Sequence, residues 1–356
     1  MKPALDSTLQ FGRVFSDHML CVEWTDGRGW GVPRIQPLQA LSLHPAAQTL
    51  QYGAQCFEGM KAYAGPDGRP RLFRPELNTA RLLRSAVRLA LPSFDCAELQ
   101  ACLAALLRVE ADWVPRLQGF SLYLRPTLVA TTPFLGVGPP QHATLFVVLS
   151  PCGPYVTGPP QAVRLYFEEG VVRAAPGGVG SYKVGGNYAP TVAPALAAAR
   201  RHGATQVLYT YQPEGGVRLI QEAGAMNVFV LLEDAAGRPE LITPPLDGTI
   251  LPGVTRASLL GLAAMQPGLT VSQRALPVDE LAAAASAGRL LEVFCSGTAA
   301  VVLPVQCLVR ENGEELAAKP YDPQPGAMLS SRLAAKLSDI QYGRVQHEWS
   351  VPIDAL

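Results

Sequence analysis

The chain has 356 residues, of which 48% are apolar and 16% charged, and its 29 basic residues balance its 29 acidic ones. This length predicts about two domains with enough apolar material for a buried core. No basic stripe or polybasic cluster is present, which argues against nucleic acid and an anionic membrane as partners and favours a small molecule.

The seven cysteines are scattered without a C-x-x-C pair, and the five histidines show no ligand spacing. This pattern argues against a disulfide framework and against a bound metal, and it suits a reducing cytoplasm. The first run, MKPALDSTLQFGRVF, lacks the apolar core of a secretory signal. Apolar runs such as LFVVL are too short to span a bilayer. We therefore expect a cytoplasmic protein without a membrane span.

The first third of the chain mixes short apolar runs with turn residues. The runs HMLCVEW and GWGVPRIQPL predict strands, and the PDG triplet in KAYAGPDGRPRLFRP predicts a hairpin turn. Two amphipathic helices follow in NTARLLRSAVRLAL and CAELQACLAALLRVEADWV, where apolar residues recur at helical spacing. The runs SLYLRPTLVAT and TLFVVLSP predict two further strands.

A passage rich in glycine and proline, GPYVTGPPQAV, separates this part from the rest. Beyond it, strands (VRLYFEE, TQVLYTY, NVFVLLE) alternate with helices (TVAPALAAARRHG, TRASLLGLAAMQ, VDELAAAASAGRLLE), and LSSRLAAKLSDIQYG predicts a last helix. We therefore expect an α/β or α+β protein with a smaller domain over residues 1–155, a connector over 156–170 and a larger domain over 171–356.

The run SYKVGGNYAP places Lys183 among glycines and small polar residues. Little side-chain bulk surrounds it, so a flat ligand could lie against the backbone and the amine could reach its carbonyl carbon. No acid stands beside it to hold the amine as an ammonium ion, and a partly desolvated lysine without counter-ions is a candidate Schiff-base nucleophile. The alternative is an ordinary solvated lysine, although the chain has only five lysines.

Other runs could hold an anionic ring compound. Glu222 in IQEAGAMNVFVLLE precedes an apolar strand, and a buried carboxylate there would need a cation such as the protonated pyridine nitrogen of pyridoxal phosphate. In ILPGVTRASLL, a Pro-Gly turn opens a helix whose first turn, with Val254 and Thr255, suits a phosphate. Arg81 on a predicted helix is a potential phosphate clamp. The small-residue loop CSGTAAVV adds the hydroxyl of Thr298.

Each of these groups also has an ordinary structural interpretation. Glu222 could be a strand-end acid facing solvent, Thr255 part of an ordinary helix N-terminus, and Arg81 part of a solvated basic face. Five aromatic residues near turns and strand ends could line a pocket or belong to a core, namely Phe11, Tyr52, Phe57, Tyr123 and Tyr155.

Nine runs in one order resemble a known family. They are FGRVFSDHMLCVEW, WGVPRIQPLQALSLHP, QYGAQCFEGMKAY, LYLRPT, SYKVGGNYAP, QEAGAMNVF, LPGVTR, SGTA and LSDIQYG. Over nearly its whole length the chain resembles a branched-chain amino-acid aminotransferase of the pyridoxal-phosphate-dependent class IV family. The resemblance implies fold type IV, with the cofactor at the interface between a smaller N-terminal domain and a larger C-terminal, cofactor-binding domain.

The resemblance also implies an activity. The amino group of L-leucine, L-isoleucine or L-valine passes reversibly to 2-oxoglutarate, giving a branched-chain 2-oxo acid and L-glutamate, in a ping-pong reaction through an aldimine of Lys183. Lys183 also carries the proton, Glu222 pairs with the pyridine nitrogen, and Tyr188 pairs with the ring hydroxyl. The residues implied to hold the phosphate are Arg81, Val254, Thr255 and Thr298.

For the substrate, the resemblance implies an apolar pocket lined by Phe11, Tyr52, Phe57, Tyr123 and Tyr155. The backbone amides of Thr298 and Ala299 receive the substrate carboxylate, and Arg125 helps to organise the site for the second carboxylate of glutamate. Leu135 and Val137 come from the neighbouring subunit, so a homodimer is implied.

Three positions depart from the family pattern. Ala225 stands where many relatives have threonine. Ala300 and Leu303 stand where some animal members carry a C-x-x-C redox pair, so we expect no thiol switch there. Two further functions stay open: a D-amino-acid aminotransferase or aminodeoxychorismate lyase of the same fold, and a non-catalytic regulatory protein that binds pyridoxal phosphate. The apolar lining argues against the polar substrate of the lyase. The retained Lys183 argues against a protein that only binds the cofactor.

Overall fold

The computed structural model describes residues 9–154, 162–234 and 236–356. These residues form two compact units. The first contains residues 9–154, Tyr182–Gly185 and Ser338–Leu356, and the second contains the other described residues up to position 337. The linear division at residues 155 and 170 stays a prediction, whereas packing assigns two later segments of the chain to the first unit.

The described residues contain strands, α-helices and short 3-10 turns, numbered here in chain order. The strands are β1 (His18–Thr25), β2 (Gly29–Trp30), β3 (Arg34–Pro37), β4 (Gln55–Phe57), β5 (Met60–Ala64), β6 (Pro70–Phe73), β7 (Ser121–Ala130), β8 (His142–Cys152), β9 (Val163–Glu168), β10 (Gln206–Tyr211), β11 (Leu219–Ala223), β12 (Met226–Glu233), β13 (Pro239–Thr243), β14 (Thr270–Gln273), β15 (Leu290–Gly297), β16 (Val301–Val309), β17 (Glu315–Ala317) and β18 (Ser350–Pro352). The helices are α1 (Gln48–Tyr52), α2 (Pro75–Arg88), α3 (Cys96–Val109), α4 (Val192–His202), α5 (Val254–Ala264), α6 (Val278–Ser286) and α7 (Leu329–Gln341). The 3-10 turns are Ala111–Trp113, Gly185–Asn187, Ala189–Thr191 and Ile353–Ala355.

The first unit is built on an antiparallel sheet in the order β18-β6-β5-β7-β8-β1-β2, with β3 beside β1 and β4 beside β7. The hairpin predicted at PDG joins β5 to β6. Pro75 opens α2, where its missing N–H costs nothing. The Asp95 side chain caps α3 by accepting from two backbone N–H groups. The predicted second helix ends earlier than expected, because ADW forms a separate 3-10 turn.

Strand alternation gives this sheet two different faces. Leu122, Leu124, Val147 and Leu149 are buried on one face and form part of the core. The other face of β5, β7 and β8 carries polar and aromatic side chains, namely Lys61, Tyr63, Ser121, Tyr123, Arg125, Ser150 and Cys152. The sheet therefore has an apolar face and a second, polar and aromatic face whose side chains are also largely buried.

The second unit contains a sheet in the order β11-β10-β9-β16-β15-β12-β13-β14. Because β11 also pairs with β12, six of these strands close into a barrel. In register, Glu222 on β11 faces Asn227 on β12, which faces Ser296 on β15. Three polar residues therefore lie side by side across adjacent strands. No helix among residues 9–154, 162–234 and 236–356 is long and apolar enough to cross a bilayer.

Candidate active site

Lys183 is anchored in the first unit through its backbone. Its N–H donates to Ser85 Oγ on α2 at 2.9 Å, and its carbonyl accepts from the Phe57 N–H at the end of β4 at 3.1 Å. Its Nζ lies 5.0 Å from the centre of the Phe57 ring. Phe57 therefore fixes the backbone of the lysine and also offers its amine an aromatic face.

Next to Phe57, Glu58 is fully buried and forms an ion pair with Arg81. Arg81 Nε donates to Glu58 Oε1 at 2.6 Å, and Arg81 Nη2 donates to Oε2 at 2.9 Å. Asn78 Nδ2 and the Gly59 N–H also donate to Oε2, at 2.8 Å and 3.0 Å. Burial alone would raise the pKa of Glu58, but the charges of Arg81 and Lys183 and the side-chain hydrogen bonds hold that pKa below its usual value.

The run around Lys183 contains no acid, but a carboxylate from elsewhere in the chain interacts with it. The charge of Lys183 contributes to lowering the pKa of Glu58, so the two groups interact electrostatically. The sequence-based interpretation considered only neighbours in sequence, whereas Glu58 comes from the distant run QCFEGMKAY. Arg81 is also not part of a solvated basic face, because its side chain is buried against Glu58.

An arginine and three aromatic rings continue this cluster in the first unit. The Arg125 Cζ lies 4.8 Å from the centre of the Phe57 ring, and Arg125 Nη2 donates to Tyr123 Oη at 3.0 Å. The rings of Tyr123 and Phe11 meet edge to face, with centres 4.8 Å apart. A Cβ at Gly59 would lie 1.9 Å from the Tyr123 hydroxyl, so any larger residue there would displace the Tyr123 side chain. The arrangement combines an apolar lining with one cation.

Tyr52 lies at the end of α1, and its hydroxyl donates to the Leu135 carbonyl. Gln48 Nε2 donates to a carbonyl of the same segment at 2.9 Å. This segment, residues 133–138, is called the apolar loop below. Its side chains Leu135 and Val137 are 66% and 87% exposed. The loop is therefore held in place by hydrogen bonds although its apolar side chains face outward.

Two further residues were predicted to belong to the site, Tyr155 and Tyr188. Tyr155 lies outside the described residues. Tyr188 is half-buried in the second unit, and its carbonyl accepts from the Thr191 N–H and hydroxyl at 3.0 Å and 2.7 Å. These bonds fix the backbone of Tyr188 at the start of a 3-10 turn.

In the second unit, Glu222 is buried at the end of β11 and is not a strand-end acid facing solvent. Its Oε2 accepts from Arg173 Nη1 at 2.6 Å and from the Leu251 N–H at 3.2 Å. Its Oε1 accepts from Asn227 Nδ2 at 2.7 Å. Sequence analysis missed Arg173 and Asn227, although the quoted run QEAGAMNVF contained the asparagine. Together they hold a carboxylate in a fixed position away from solvent.

The N-terminus of α5 is a second feature of this unit that could bind a ligand. Gly253 stands before the helix and offers no side chain to cap it, while Val254 and Thr255 are buried in the first turn. A Cβ at Gly253 would lie 2.1 Å from Asn227 Oδ1, so any larger residue there would displace the Asn227 side chain. Without a side-chain cap, the first N–H groups of the helix suit an anion.

The turn between β15 and β16 contains Thr298 and Ala299. It ends on Val301, whose φ of 61° is left-handed and strained for a β-branched residue. Ser296 Oγ, just before the turn, is buried and has no hydrogen-bond partner within the described part of the chain. Strain and a missing partner are typical of a surface shaped to receive a ligand.

Comparison with known proteins shows the family to which the chain belongs. The model of the amino-transferase class IV family matches residues 55–308. The chain therefore belongs to the class IV aminotransferase family. It is 48% identical over 353 residues to the mitochondrial branched-chain-amino-acid aminotransferase of Bos taurus, covering 99% of this chain and 88% of that protein. It is 46% identical to the cytosolic branched-chain-amino-acid aminotransferase of Mus musculus, with coverages of 99% and 89%.

Solved structures show the same fold. The branched-chain amino acid aminotransferase of Escherichia coli superimposes with a TM-score of 0.70 at 25% identity, covering 95% of this chain and 99% of that one. The PLP-form of the enzyme from Thermobaculum terrenum gives a TM-score of 0.73 at 20% identity, with the same coverages. The predicted family and the predicted fold type IV are both confirmed.

Pyridoxal phosphate is the cofactor of this enzyme class, and the residues described above fit it. In the first unit, the amine of Lys183 is a group that could bind an aldehyde, and Arg81 is a group that could bind a phosphate. In the second unit, considered by itself, the buried carboxylate of Glu222 suits a cationic ring nitrogen, and the N-terminus of α5, which has no side-chain cap, suits an anion. The unpartnered Ser296 hydroxyl is a further polar group that a ligand could satisfy.

Proposed function

We propose that this protein is a branched-chain amino-acid aminotransferase that moves the amino group of L-leucine, L-isoleucine or L-valine to 2-oxoglutarate. The cluster around Lys183 is the observation that carries this proposal. Phe57, Tyr123 and Phe11 suit an apolar side chain, while Arg125 suits the second carboxylate of glutamate. An aminotransferase with these two substrates must accept both in turn. The identity of 48% with a named relative supports the same substrates.

The residue roles follow from the chemistry of each group. When bound, pyridoxal phosphate supplies an electron sink for the charge left at the substrate Cα. Lys183 Nζ takes the Cα proton and returns it, and the backbone bonds to Ser85 and Phe57 keep this amine in position. Glu222 keeps the pyridine nitrogen protonated, and Tyr188 binds the ring hydroxyl. The phosphate is held by Arg81, Val254, Thr255 and Thr298.

The substrate is bound by side chains and backbone amides. The amides of Thr298 and Ala299 bind the carboxylate that both substrates share. Arg125 contributes to binding the second carboxylate, and its Nε is buried without an acceptor among the described residues. The proposed apolar pocket consists of Phe11, Tyr52, Phe57, Tyr123 and Tyr155.

We also infer a homodimer and a cytoplasmic location. The apolar loop exposes Leu135 and Val137 while hydrogen bonds from Tyr52 and Gln48 hold it, so it suits insertion into a second copy. All seven cysteines are free, which suits a reducing compartment. Named relatives include cytosolic and mitochondrial enzymes.

The first experiment mixes the purified, cofactor-loaded protein with L-leucine alone and follows the visible absorption of the cofactor. We expect the band to disappear as the keto acid forms, and to return when 2-oxoglutarate is added. Activity on D-alanine with none on L-leucine would instead favour a D-amino-acid aminotransferase. An absorption band that no amino acid changes would favour a non-catalytic regulatory protein that binds pyridoxal phosphate.

A matched pair of lysine variants tests the catalytic role. Lys183→Ala is expected to lower the rate by about 10⁴-fold or more, because general acid–base and covalent catalysis are both lost. Lys336→Ala, at an exposed position on α7, should keep the wild-type rate. Normal transamination by Lys183→Ala would contradict the mechanism.

A further inference from the structure

Three polar side chains form a row on the sheet of the second unit. Glu222, Asn227 and Ser296 are paired in register across β11, β12 and β15, so their side chains point to the same face of the sheet. Their chain neighbours Val228 and Cys295 belong to the apolar core on the opposite face. The row is therefore separated from that core by the sheet itself.

The first turn of α5 lies beside the middle of this row, and α5 packs against β15. A Cβ at Gly253 would lie 2.1 Å from Asn227 Oδ1, so the residue that opens the helix contacts Asn227. Asn227 Nδ2 in turn donates to Glu222 Oε1 at 2.7 Å. The row thus consists of a carboxylate, an amide beside the positive end of a helix dipole, and a hydroxyl.

The hydroxyl of Ser296 differs from the other two members of the row. Ser296 is 1% exposed, and its Oγ makes no hydrogen bond within residues 9–154, 162–234 and 236–356. A buried hydroxyl without a partner costs free energy, because it has given up its hydrogen bonds to water. A ligand with an acceptor at this end of the row would remove that cost.

We propose that the Ser296 hydroxyl is a further cofactor-binding group, which donates a hydrogen bond to the phosphate of pyridoxal phosphate. This inference rests on the proposed function, in which Glu222 pairs with the ring nitrogen and the first turn of α5 binds the phosphate. The phosphate is attached through a methylene at the ring edge, displaced from the nitrogen. A ring held at Glu222 can therefore extend its phosphate along the row, past Asn227 and toward Ser296. A hydrogen bond to an ionised phosphate is stronger than one between neutral groups.

This hydroxyl should have opposite effects on the protein with and without the cofactor. In the cofactor-free chain it is buried and unsatisfied, so Ser296→Ala should unfold at the same urea concentration as the wild type or at a higher one. With the cofactor bound it is satisfied, so Ser296→Ala should need about tenfold more pyridoxal phosphate for half-saturation. Pyridoxal, the same compound without the phosphate, should bind the variant and the wild type equally well.

Tyr209 provides the matched control. Its hydroxyl is also buried without a hydrogen-bond partner in the described part of the chain, but its ring packs with Tyr166 and Ala198 in another cluster of the second unit. Tyr209→Phe should therefore resemble Ser296→Ala in urea and resemble the wild type in its affinity for pyridoxal phosphate. Ser296→Cys retains a weaker donor and should bind pyridoxal phosphate with an affinity between those of the wild type and Ser296→Ala.

The measurement is a titration of the cofactor-free, full-length chain with pyridoxal phosphate or with pyridoxal, followed by visible absorption. If Ser296→Ala binds pyridoxal phosphate as tightly as the wild type, the role of Ser296 is overturned. An equal loss of affinity for pyridoxal would also overturn it, because the hydroxyl would then not act through the phosphate. The same loss in Tyr209→Phe, or a lower urea midpoint in cofactor-free Ser296→Ala, would have the same meaning.

A failure of this inference can be distinguished from a failure of the proposed function. If borohydride reduction does not fix the cofactor on Lys183 in the wild type, the proposed function fails. If the cofactor is fixed on Lys183 and L-leucine is converted, but the Ser296 variants bind both compounds like the wild type, only the assignment of Ser296 fails.

Discussion

Glu58 in the first unit and Glu222 in the second are buried carboxylates held by the same three kinds of donor. Each accepts from one arginine, one asparagine side chain and one backbone N–H. The donors are Arg81, Asn78 and Gly59 for Glu58, and Arg173, Asn227 and Leu251 for Glu222. Although the kinds of donor are the same, the two arginines contact their carboxylates in different ways.

Arg81 spreads two N–H groups over both oxygens of its glutamate. Arg173 Nη1 lies 2.6 Å from Glu222 Oε2, and the Arg173 guanidinium also donates to the carbonyls of Gly224 and Thr249 at 3.2 Å and 3.4 Å. In the first unit the acid fixes the arginine, whereas in the second unit the backbone fixes the arginine and the arginine holds the acid. The proposed roles, Arg81 for the phosphate and Glu222 for the ring nitrogen, therefore predict different consequences when each pair is broken.

The largest expected effect is on stability. Arg81→Met leaves the Glu58 charge buried without its main partner and should lower the free energy of unfolding by about 3–5 kcal/mol. Arg344→Met breaks the exposed pair with Asp339 and should cost at most about 1 kcal/mol. Urea unfolding of the cofactor-free proteins measures both. Equal losses in the two variants would mean that the buried pair has no special role.

Glu222→Gln tests whether the second carboxylate acts on the ligand. It removes the charge that keeps the ring nitrogen protonated, so kcat with leucine and 2-oxoglutarate should fall by about 10²–10³-fold. Glu292→Gln, which removes another buried charge in the same unit, should keep the wild-type kcat. A Glu222→Gln enzyme with an unchanged kcat would show that Glu222 is only a structural acid.

Asn78 and Asn227, which donate to Glu58 and Glu222, offer a test of whether the two carboxylates differ in function. Asn78→Ala and Asn227→Ala each remove a hydrogen bond to a buried carboxylate and should cost about 1.5–3 kcal/mol in unfolding free energy. Only Asn227→Ala should also lower kcat, because it loosens the acid that we assign to the ring nitrogen. An equal loss of kcat in both variants would show that the two carboxylates do not differ in their effect on the reaction.

The smallest effect is a pH dependence. The pKa of Glu58 is lowered in the folded protein from the ordinary value of 4.5, so its ionised form stabilises the fold above that pH. This stabilisation is lost as the pH falls through the folded value. The difference in unfolding free energy between wild type and Glu58→Gln should therefore be constant from pH 7 to about pH 5 and shrink at lower pH. A difference that grows on acidification would contradict the assignment.

Much of the fold could be predicted from local patterns. Helical spacing located α2, α4, α5 and α7, and the PDG triplet located the β5–β6 hairpin. Nine short runs in order identified the family and fold type. The closure of the second sheet into a barrel could not be predicted, because it depends on pairing of β11 with both neighbours. Periodicity reports which face of a strand is buried but not which strand lies beside it.

The candidate site was predictable only in part for the same reason. Lys183 and Glu222 stand in distinctive runs, so composition and spacing could single them out. Glu58 and Arg173 were missed because their roles appear only through partners far along the chain. From the sequence alone one can infer that a buried acid needs a cationic partner, but not which residue supplies it.

The hydrogen bonds that hold Lys183 also have a consequence for how the protein folds. The bond between Lys183 and Ser85 joins residues 98 positions apart, and contacts of such long range form late because their loops are costly to close. Helices and hairpins of the nascent chain can therefore appear well before the lysine reaches its place. If Lys183 holds the cofactor as we propose, we expect colour to develop late in refolding, after most of the secondary structure has formed.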